Sequence, residues 1–419
     1  MRKILHLDAN SYFATLEQQA HPNLRGRPIG VAGKGRGERT VVCAASIEAK
    51  ELGIRSGMST WEALRLCPQL IIIPASYDRY IFTSKRIFNL LEQFGPKVDV
   101  FSIDEAFLDL GAEISWADAE VLAEQIKRRI RAEIGEWVSC SIGISYGRTL
   151  AKLASEMKKP DGLVVIRPED FPVVAATTPI EDLCCIGWAL RPRLNRMGVV
   201  TIADLTKTPL EMLIAVFGPH TGTWLHRIGG GIDDNILRSY RELPQEKSIG
   251  HSYTLPRDIS NFSDVKKVLL LLSERVGVRL RHKKLIGKTV SVYLRFGDKT
   301  DWGSRHSQKE YLLEGYQIYQ AGTRQLNSLT EIKPVRLVAV TISDLIGQQE
   351  TTAPLFADGR SHEQLAHAVD QLNDRYGEWT IHRGVLHKIK SRIFNLPDGR
   401  DKRKYLPEIT HVNPFTKRV

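Results

Sequence analysis

Two adjacent carboxylates stand inside an apolar stretch. Val98-Asp99-Val100-Phe101 leads into Ser102-Ile103-Asp104-Glu105, and Ala106-Phe107-Leu108-Asp109 follows. The flanks read as two short strands. Two neighbouring charges between them are costly to bury without a compensating cation. Side chains alternate faces along a regular strand, so both acids can turn the same way only at a bend. A hairpin with the acids at its bend is therefore expected over Val98 to Leu110. A third acid stands far off, at the end of Ile4-Leu5-His6-Leu7-Asp8, which also reads as a buried strand. Three acids on strand ends suit Mg²⁺, which takes hard oxygens and completes its shell from phosphates. Paired ions of this kind serve phosphoryl transfer. On residue pattern alone a second reading stands beside this one. In it Asp8 caps the helix that follows, and Asp104 and Glu105 are exposed turn acids.

At 419 residues the chain is long enough for two to four domains, and 42% hydrophobic residues suit soluble globular folds. Met1-Arg2-Lys3 leads straight into the first strand, without the pattern of a signal peptide. The apolar runs Ile71-Ile72-Ile73 and Leu269 to Leu272 are core-sized, far short of a membrane span. The five cysteines (Cys43, Cys67, Cys140, Cys184, Cys185) show no metal-ligand spacing and fit a reducing cytosol. The net charge of +11 and pI near 9.3 favour a polyanionic partner. Cations cluster at 279–288 (Arg279, Arg281, Lys283, Lys284, Lys288) and at 400–404 (Arg400, Lys402, Arg403, Lys404), either as contact surfaces or as solvated faces.

The first part reads as an α+β layer. Helices are expected over Ser11–Gln19, Tyr77–Phe94, Ala117–Ile134 and Thr149–Met157, and a strand over Val138–Ser145. Residues 27–75, with Gly33-Lys34-Gly35-Arg36-Gly37, read as a small inserted module. From about 171 to 237 the pattern is all-helical, and Ser239 to Glu246 reads as a linker. Residues 247–345 read strand, helix (262–283), strand (289–296), strand (309–313), helix (315–328), strand (335–342), a second α+β domain. A last helix over Ser361–Tyr376, with Ser361 as its N-cap, precedes a basic end.

Asp8-Ala9-Asn10-Ser11-Tyr12-Phe13-Ala14 and Ser102-Ile103-Asp104-Glu105-Ala106-Phe107 resemble the two acidic motifs of the Y-family, or translesion, DNA polymerases. Further matches follow in order. Ala49-Lys50-Glu51-Leu52-Gly53 with Gly57-Met58 resembles the fingers. Leu150 to Ser155 and Lys159-Pro160-Asp161-Gly162 resemble the last palm motif. Ile186-Gly187 followed by Leu194 and Met197-Gly198-Val199 resembles the thumb. Lys247 to His251 and Leu255-Pro256-Arg257-Asp258 resemble the start of the little finger. The resemblance runs over roughly 1–345 and is carried by the ordered set. It implies a multidomain right hand: palm at 1–18 and 76–170, fingers at 19–75, helical thumb at 171–237, linker at 238–246, little finger at 247–345 and a tail at 346–419.

The resemblance also implies roles. Asp8, Asp104 and Glu105, with the Ala9 carbonyl, would hold two Mg²⁺ ions for nucleotidyl transfer to a primer 3′-hydroxyl. Tyr12, Phe13, Lys50 and Lys159 would contact the deoxynucleoside triphosphate, with Phe13 as a steric gate against ribose and Lys159 on the phosphates. Thr178 to Gly198 would form a helix-hairpin-helix whose Ile186 and Gly187 backbone holds a DNA phosphate. Lys247, Ser248, Arg295 and the 279–288 cluster would line the DNA backbone, and affinity would fall with salt. Leu355 and Phe356 stand where relatives carry a sliding-clamp peptide, although the usual leading Gln is missing.

The fingers depart from the family pattern. Many members have Tyr-Glu-Ala-Arg where this chain has Ile47-Glu48-Ala49-Lys50, and Ala44 replaces a frequent Thr. Ile47 donates no side-chain hydrogen bond, and Lys50 is a point charge instead of a bidentate fork. Weaker triphosphate binding with intact chemistry is expected. The polymerase V catalytic subunit is similarly relaxed here and has a similar first motif, whereas the thumb and little finger look more like polymerase IV.

The resemblance thus implies an error-prone, distributive DNA polymerase of damage tolerance. It would be a monomer in the bacterial cytoplasm, associated with the nucleoid and not with membrane, acting on primer-template DNA. A sliding clamp and polymerase V-type accessory subunits are its implied partners. A non-catalytic DNA-binding scaffold of the same family is the alternative, disfavoured because all three acids remain. A metal phosphodiesterase would leave Phe13 and the little finger unexplained.

Overall fold

In the computed structural model, residues 1–33, 39–95, 97–233, 236–239, 241–242, 246–329, 333–350, 358–377 and 379–387 are described, the side chains only from 364 in the last helix. They form two compact units, before and after position 244.

The first unit is organised by strand β1 (Lys3–Ala9). It is buried along its whole length, so both faces are covered. Helix α1 (Tyr12–Ala20) follows directly. The inserted module is a three-stranded sheet of β2 (Ile29–Ala32), β3 (Val42–Ala45) and β4 (Ile71–Pro74), in the order β3-β2-β4. Helices α2 (Ile47–Glu51) and α3 (Thr60–Leu66) complete it. Its core is its own: Val42, Ala45, Ala49, Ile54, Ala63, Cys67 and Leu70. The chain then returns through α4 (Tyr77–Leu91), β5 (Val98–Val100), β6 (Glu105–Gly111), α5 (Trp116–Glu133), β7 (Cys140–Ser145), α6 (Arg148–Met157) and β8 (Leu163–Ile166). The main sheet has the order β5-β6-β1-β7-β8, with β1 central and antiparallel to both neighbours.

The period of two sorts β1 onto two faces. Leu5, Leu7 and Ala9 join the core that α1, α4 and α5 cover. Ile4 and His6 face the other way, toward Ala151 and Ser155 of α6. Asp8 lies on this second face by the same alternation. Gly143 of β7 lets α6 approach, since a Cβ there would stand 2.1 Å from the Ala151 carbonyl oxygen. Any larger residue at 143 would push α6 off the sheet.

Helices α7 (Phe171–Thr177), α8 (Arg191–Arg196), α9 (Asp204–Lys207), α10 (Leu210–Phe217) and α11 (Pro219–Gly229) close the unit around Ile180, Leu183, Leu194, Leu205 and Leu225. The expected helix-hairpin-helix is only half α-helical. Its first arm is one 3₁₀ turn, Ile180–Asp182.

The second unit is a four-stranded sheet, β11-β10-β12-β9, under two helices. Its elements are β9 (Ser248–Ile259), α12 (Phe262–His282), β10 (Leu285–Phe296), β11 (Asp301–Leu312), α13 (Gly315–Leu326) and β12 (Val335–Gly347). β11 is far longer than the expected 309–313. It is an edge strand with mostly exposed polar side chains, so no hydrophobic alternation marks its first half. The last helix, α14, spans Asp358–Tyr376. Ser361 therefore lies inside it and does not cap it; an acid at the first position suits the positive end of the helix dipole. Among the described residues no helix is long and apolar enough to cross a membrane.

Candidate active site

The register of β1 on β6 sets Asp8 directly opposite Glu105. The Ala9 N–H donates to the Asp104 carbonyl at 3.0 Å, which continues the ladder into the bend. Asp104 is the last residue of that bend and Glu105 the first of β6. The hairpin is thus as expected, and the three acids share one end of the sheet. Ser102 donates to Asp104 Oδ1, and the Ser84 hydroxyl to the Ile103 carbonyl, which pins the bend. Asn10 ties the next loop on: Oδ1 accepts from the Asp161 N–H at 2.9 Å and Nδ2 donates to Ser141 Oγ at 2.9 Å.

The alternative reading of these acids fails. Asp8 is only 7% exposed and does not cap α1, whose N-cap position is Ser11. It pairs with Lys159, Nζ to Oδ2 at 2.9 Å. Lys159 also donates to Glu156 Oε1 at 2.7 Å. Burial pushes the Asp8 carboxyl up to about 7; Lys159 opposes this, and the nearby Glu105 and Asp104 add to it. Burial likewise raises Asp104, with Glu105 adding, against the Ser102 hydrogen bond. Glu105 differs. Burial would raise it, but the His6 imidazole and the Lys152 ammonium hold it well below the usual carboxylate range.

Lys152 and His6 are the residues that sequence reasoning missed. Lys152 Nζ donates to Glu105 Oε2 at 2.7 Å. His6 is fully buried; its Nδ1 meets Ser155 Oγ at 2.8 Å, while Nε2 stands 3.6 Å from Glu105 Oε2, long for a hydrogen bond but near enough to favour the carboxylate. Burial, first among its causes, lowers His6 to about 4, so the ring is neutral near pH 7. Small residues along α6 and in β7 (Ala151, Ala154, Ser155, Gly143) were the available signal of this close approach.

The residues expected to face a nucleotide divide. Phe13 is half-buried, its ring stacked on Tyr80 at 4.2 Å between centroids and 13° between planes. Tyr12 corrects the expectation. Its side chain is core, 3% exposed, with the hydroxyl donating to the Tyr80 carbonyl at 2.7 Å, so it backs the Tyr80 segment. Lys50 is exposed on α2, and its ammonium is disfavoured by burial of its stem and by Lys159, with Asp8 and Glu156 in partial compensation. The fold therefore brings fingers residue Lys50 within charge range of palm residues Asp8 and Lys159. Ala44 and Ile47 are half-buried on the same module.

Of the residues expected to meet DNA, Ile186 is buried in the core of the first unit's helices and its N–H is spent on the Leu183 carbonyl at 3.0 Å, so it offers no donor to a phosphate. Gly187 is exposed, and its carbonyl accepts from Leu190 and Arg191 to start α8. In the second unit Lys247 and Arg295 are exposed and Ser248 opens β9. The 279–288 cluster does not form one surface. Arg281 is buried and bonds Asp370 at 2.6 and 2.8 Å, Arg279 donates to the Gly250 carbonyl at 2.8 Å, and Lys283 to Glu246 at 2.5 Å. Arg279 and Arg281, two apart on α12, are turned about 200° from each other, and Lys284 and Lys288 lie beyond the helix. Leu355, Phe356 and the basic stretch 400–404 lie outside the described residues.

Among the described residues no three His, Cys, Asp or Glu side chains converge tightly enough to close a metal site alone. The donors nonetheless fit Mg²⁺. They are hard oxygens, two of them with pKa values raised chiefly by burial and further by the neighbouring carboxylates, with lysines as the standing counter-cations. An ion that keeps one or two carboxylates and takes its other oxygens from a substrate asks for no more.

The chain matches the impB/mucB/samB family over residues 7–156 and that family's C-terminal domain over 246–355. Residues 181–233 match the thumb domain of DNA polymerase-iota. It is 39% identical to a DNA polymerase IV of Moorella thermoacetica, over 91% of this chain and 95% of the relative. A DNA polymerase IV of Pelotomaculum thermopropionicum is 36% identical, over 91% and 94%. Among solved structures a Y-family DNA polymerase chimera shares the fold, with a TM-score of 0.73 at 24% identity, over 82% of this chain and 99% of that one. The chain belongs to the Y-family DNA polymerases, the impB/mucB/samB family, among relatives called DNA polymerase IV.

Proposed function

We propose that this chain is a template-directed DNA polymerase that extends a primer past damaged bases, with its chemistry at the Asp8, Asp104 and Glu105 edge. The observation that carries the reading is the register: Asp8 opposite Glu105, with Asp104 in the adjoining bend, at one end of a buried sheet. A relative fold appears in the insertion ternary complex of Dbh DNA polymerase, at 25% identity and a TM-score of 0.56.

Asp8, Asp104 and Glu105, with the Ala9 carbonyl, would hold two Mg²⁺ ions. When bound, these supply neutralisation of the triphosphate and activation of the primer 3′-hydroxyl. The protein's own part is positioning. Lys152 keeps Glu105 ionised and fixed. Lys159, shared between Asp8 and Glu156, is placed to exchange those carboxylates for phosphate oxygens. Lys50 adds a second cation from the fingers, a point charge without bidentate geometry.

Phe13 acts as the gate against a ribose 2′-hydroxyl. A gate must not yield, and this one is backed: Phe13 lies flat on Tyr80, whose hydroxyl donates to the buried Glu17 at 2.7 Å and whose carbonyl takes the Tyr12 hydroxyl. The small fingers sheet, with a core of its own, leaves room over the templating base, and that openness is the basis assigned to lesion tolerance. DNA contacts fall to Gly187, Lys247, Ser248 and Arg295. The work would be done in the bacterial cytoplasm.

Primer extension with Mg²⁺ tests the reading. Wild type should extend, and Asp104→Ala/Glu105→Ala should lose about 10³-fold or more, the scale on which charge-stabilising groups act. A wild type that binds primer-template but never extends it favours the non-catalytic scaffold instead. In the same assay Phe13→Ala should admit ribonucleotides; unchanged sugar discrimination would remove Phe13 from the gate.

A further inference from the structure

Cys184 and Cys185 are neighbours in the thumb, and neither takes part in the chemistry above. Their sulfurs are 3.8 Å apart, with the Cys185 S–H directed at Cys184 Sγ. Cys185 has φ 81°, the left-handed region that side-chain-bearing residues avoid. A strained cysteine beside a second thiol is a reason to look for a ligand. Both thiols line an open pocket whose walls include Phe107 and Trp224 and whose cations are Arg148 and Lys152. Cys185 is exposed and Cys184 half-buried, so the pair is reachable.

The spacing discriminates among partners. A direct disulfide would need the sulfurs to close to about 2.05 Å, on adjacent residues whose Cα separation of ~3.8 Å is below the usual range. A soft atom about 2.3 Å from each sulfur, at a bond angle of roughly 90–110°, holds the two sulfurs about 3.3–3.8 Å apart. The observed distance sits at that bite. A tetrahedral zinc ion would want further ligands, and among the described residues no third His, Cys, Asp or Glu joins the pair. Two positive side chains also line the pocket, which disfavours a cation. A neutral centre that needs only two thiols fits both facts, and an aryl group on it would meet the aromatic walls. The hydrogen bond from Cys185 draws the Cys184 thiol down to about 7, with Lys152 and Arg148 helping against burial, which makes it the nucleophile of the pair.

We propose that Cys184 and Cys185 form a dithiol site for a trivalent arsenical, seated beside Lys152 and so beside the cation that holds Glu105. The reaction is a condensation. The arsenic–oxygen bond and two S–H bonds give way to two As–S bonds, the oxygen leaves as water with both thiol protons, and arsenic stays trivalent. Cys43 and Cys67 belong to the fingers and Cys140 is buried in β7, so none of them completes a second pair with these thiols. An occupant crowds Lys152, whose ammonium also lies over the Phe101 ring at 5.1 Å, and loosens its 2.7 Å contact with Glu105.

The test uses phenylarsine oxide on the full chain. By intact mass, wild type should keep one adduct per chain through a wash with excess glutathione and lose it to 2,3-dimercaptopropanol. Cys185→Gly, which keeps the left-handed backbone without strain, should keep none; Cys184→Ser should agree. Absence of a glutathione-resistant adduct on wild type overturns the site, as does the same adduct on Cys185→Gly. The mass readout is independent of the polymerase reading. The coupling to Lys152 rests on that reading: arsenical-treated wild type should extend primers about tenfold less or worse, while Cys185→Gly is unaffected by the reagent. An adduct that leaves wild-type extension untouched overturns the coupling.

Discussion

The acidic edge of the first unit and the basic stretch of the second were equally conspicuous as strings of letters, and folding treats them oppositely. At the edge, acids ninety-odd positions apart are aligned by strand register, Asp8 against Glu105. Around the end of α12 and into β10, nearby cations are consumed one by one, with Arg279 and Arg281 turned apart by helical rotation. Arg281 goes to a buried Asp370, Arg279 to the Gly250 carbonyl, Lys283 to Glu246, and Lys288 lies over the Tyr311 ring at 5.5 Å. Register gathers distant residues; a helix disperses close ones. Charge is left for function only where the fold has gathered more of one sign than it compensates.

Breaking each region should therefore cost different things. Arg281→Met leaves Asp370 buried without its partner and should lower stability by about 3–5 kcal/mol, read by denaturant unfolding. Its primer-extension rate below the transition should be unchanged. Asp8→Asn should do the reverse. It removes a carboxylate that burial and two like charges disfavour, so the metal-free protein at pH 8 should gain on the order of 2 kcal/mol while extension is lost. If Asp8→Asn destabilises and Arg281→Met does not, the contrast between the two regions collapses.

The strand and helix skeleton of the palm was legible because its pattern is strong. β1 carries Leu5, Leu7 and Ala9 on its core face, and α4, α5 and α6 each carry a periodic face. The acids were legible because charge inside an apolar run is anomalous. What surrounds them was not. Lys152 in Leu150-Ala151-Lys152-Leu153 looks like an ordinary solvated helix residue. Only the α6–β7 approach, which Gly143 permits, sets it over Glu105. Tyr12 was misplaced because aromatic neighbours at a helix start alternate between core and surface, and sequence does not say which faces inward. The first half of β11 escaped for want of buried side chains, and Ile186 because the destination of a backbone N–H is decided by turn geometry.

Acid and base should probe the regions from opposite sides. Burial, with Arg275 and Arg279 adding, lowers His251 to about 4, and its Nε2 faces Arg275 Nη1 at 3.3 Å. An unfolded His titrates near 6.5, so the unfolded chain takes up the proton first and this stability is lost as pH falls from about 6.5 toward 4. Asp8 runs the other way. Its folded value of about 7 exceeds the unfolded ~3.9, so its contribution declines as pH rises through that window. His251→Gln should flatten the acid limb of the melting curve by about 1–2 kcal/mol, and Asp8→Asn should remove the loss of stability that Asp8 causes as pH rises toward neutral. Identical pH profiles for wild type and both variants would mean that neither group is desolvated as the packing implies.

The smallest effect isolates the cations that remain for DNA. Lys247 and Arg295 are exposed on the second unit, whereas Arg279 is committed to the Gly250 carbonyl. Each phosphate contact contributes a slope of about −0.9 to log affinity against log salt. Lys247→Ala and Arg295→Ala should each weaken binding severalfold at low salt, uniformly across sequences, and make that slope shallower by about 1. Arg279→Gln should leave the slope alone even though it lies in a dense basic stretch of the chain. A slope change at Arg279 and none at Lys247 or Arg295 would mean that clustering along the sequence, and not exposure after folding, selects the residues that meet the phosphates.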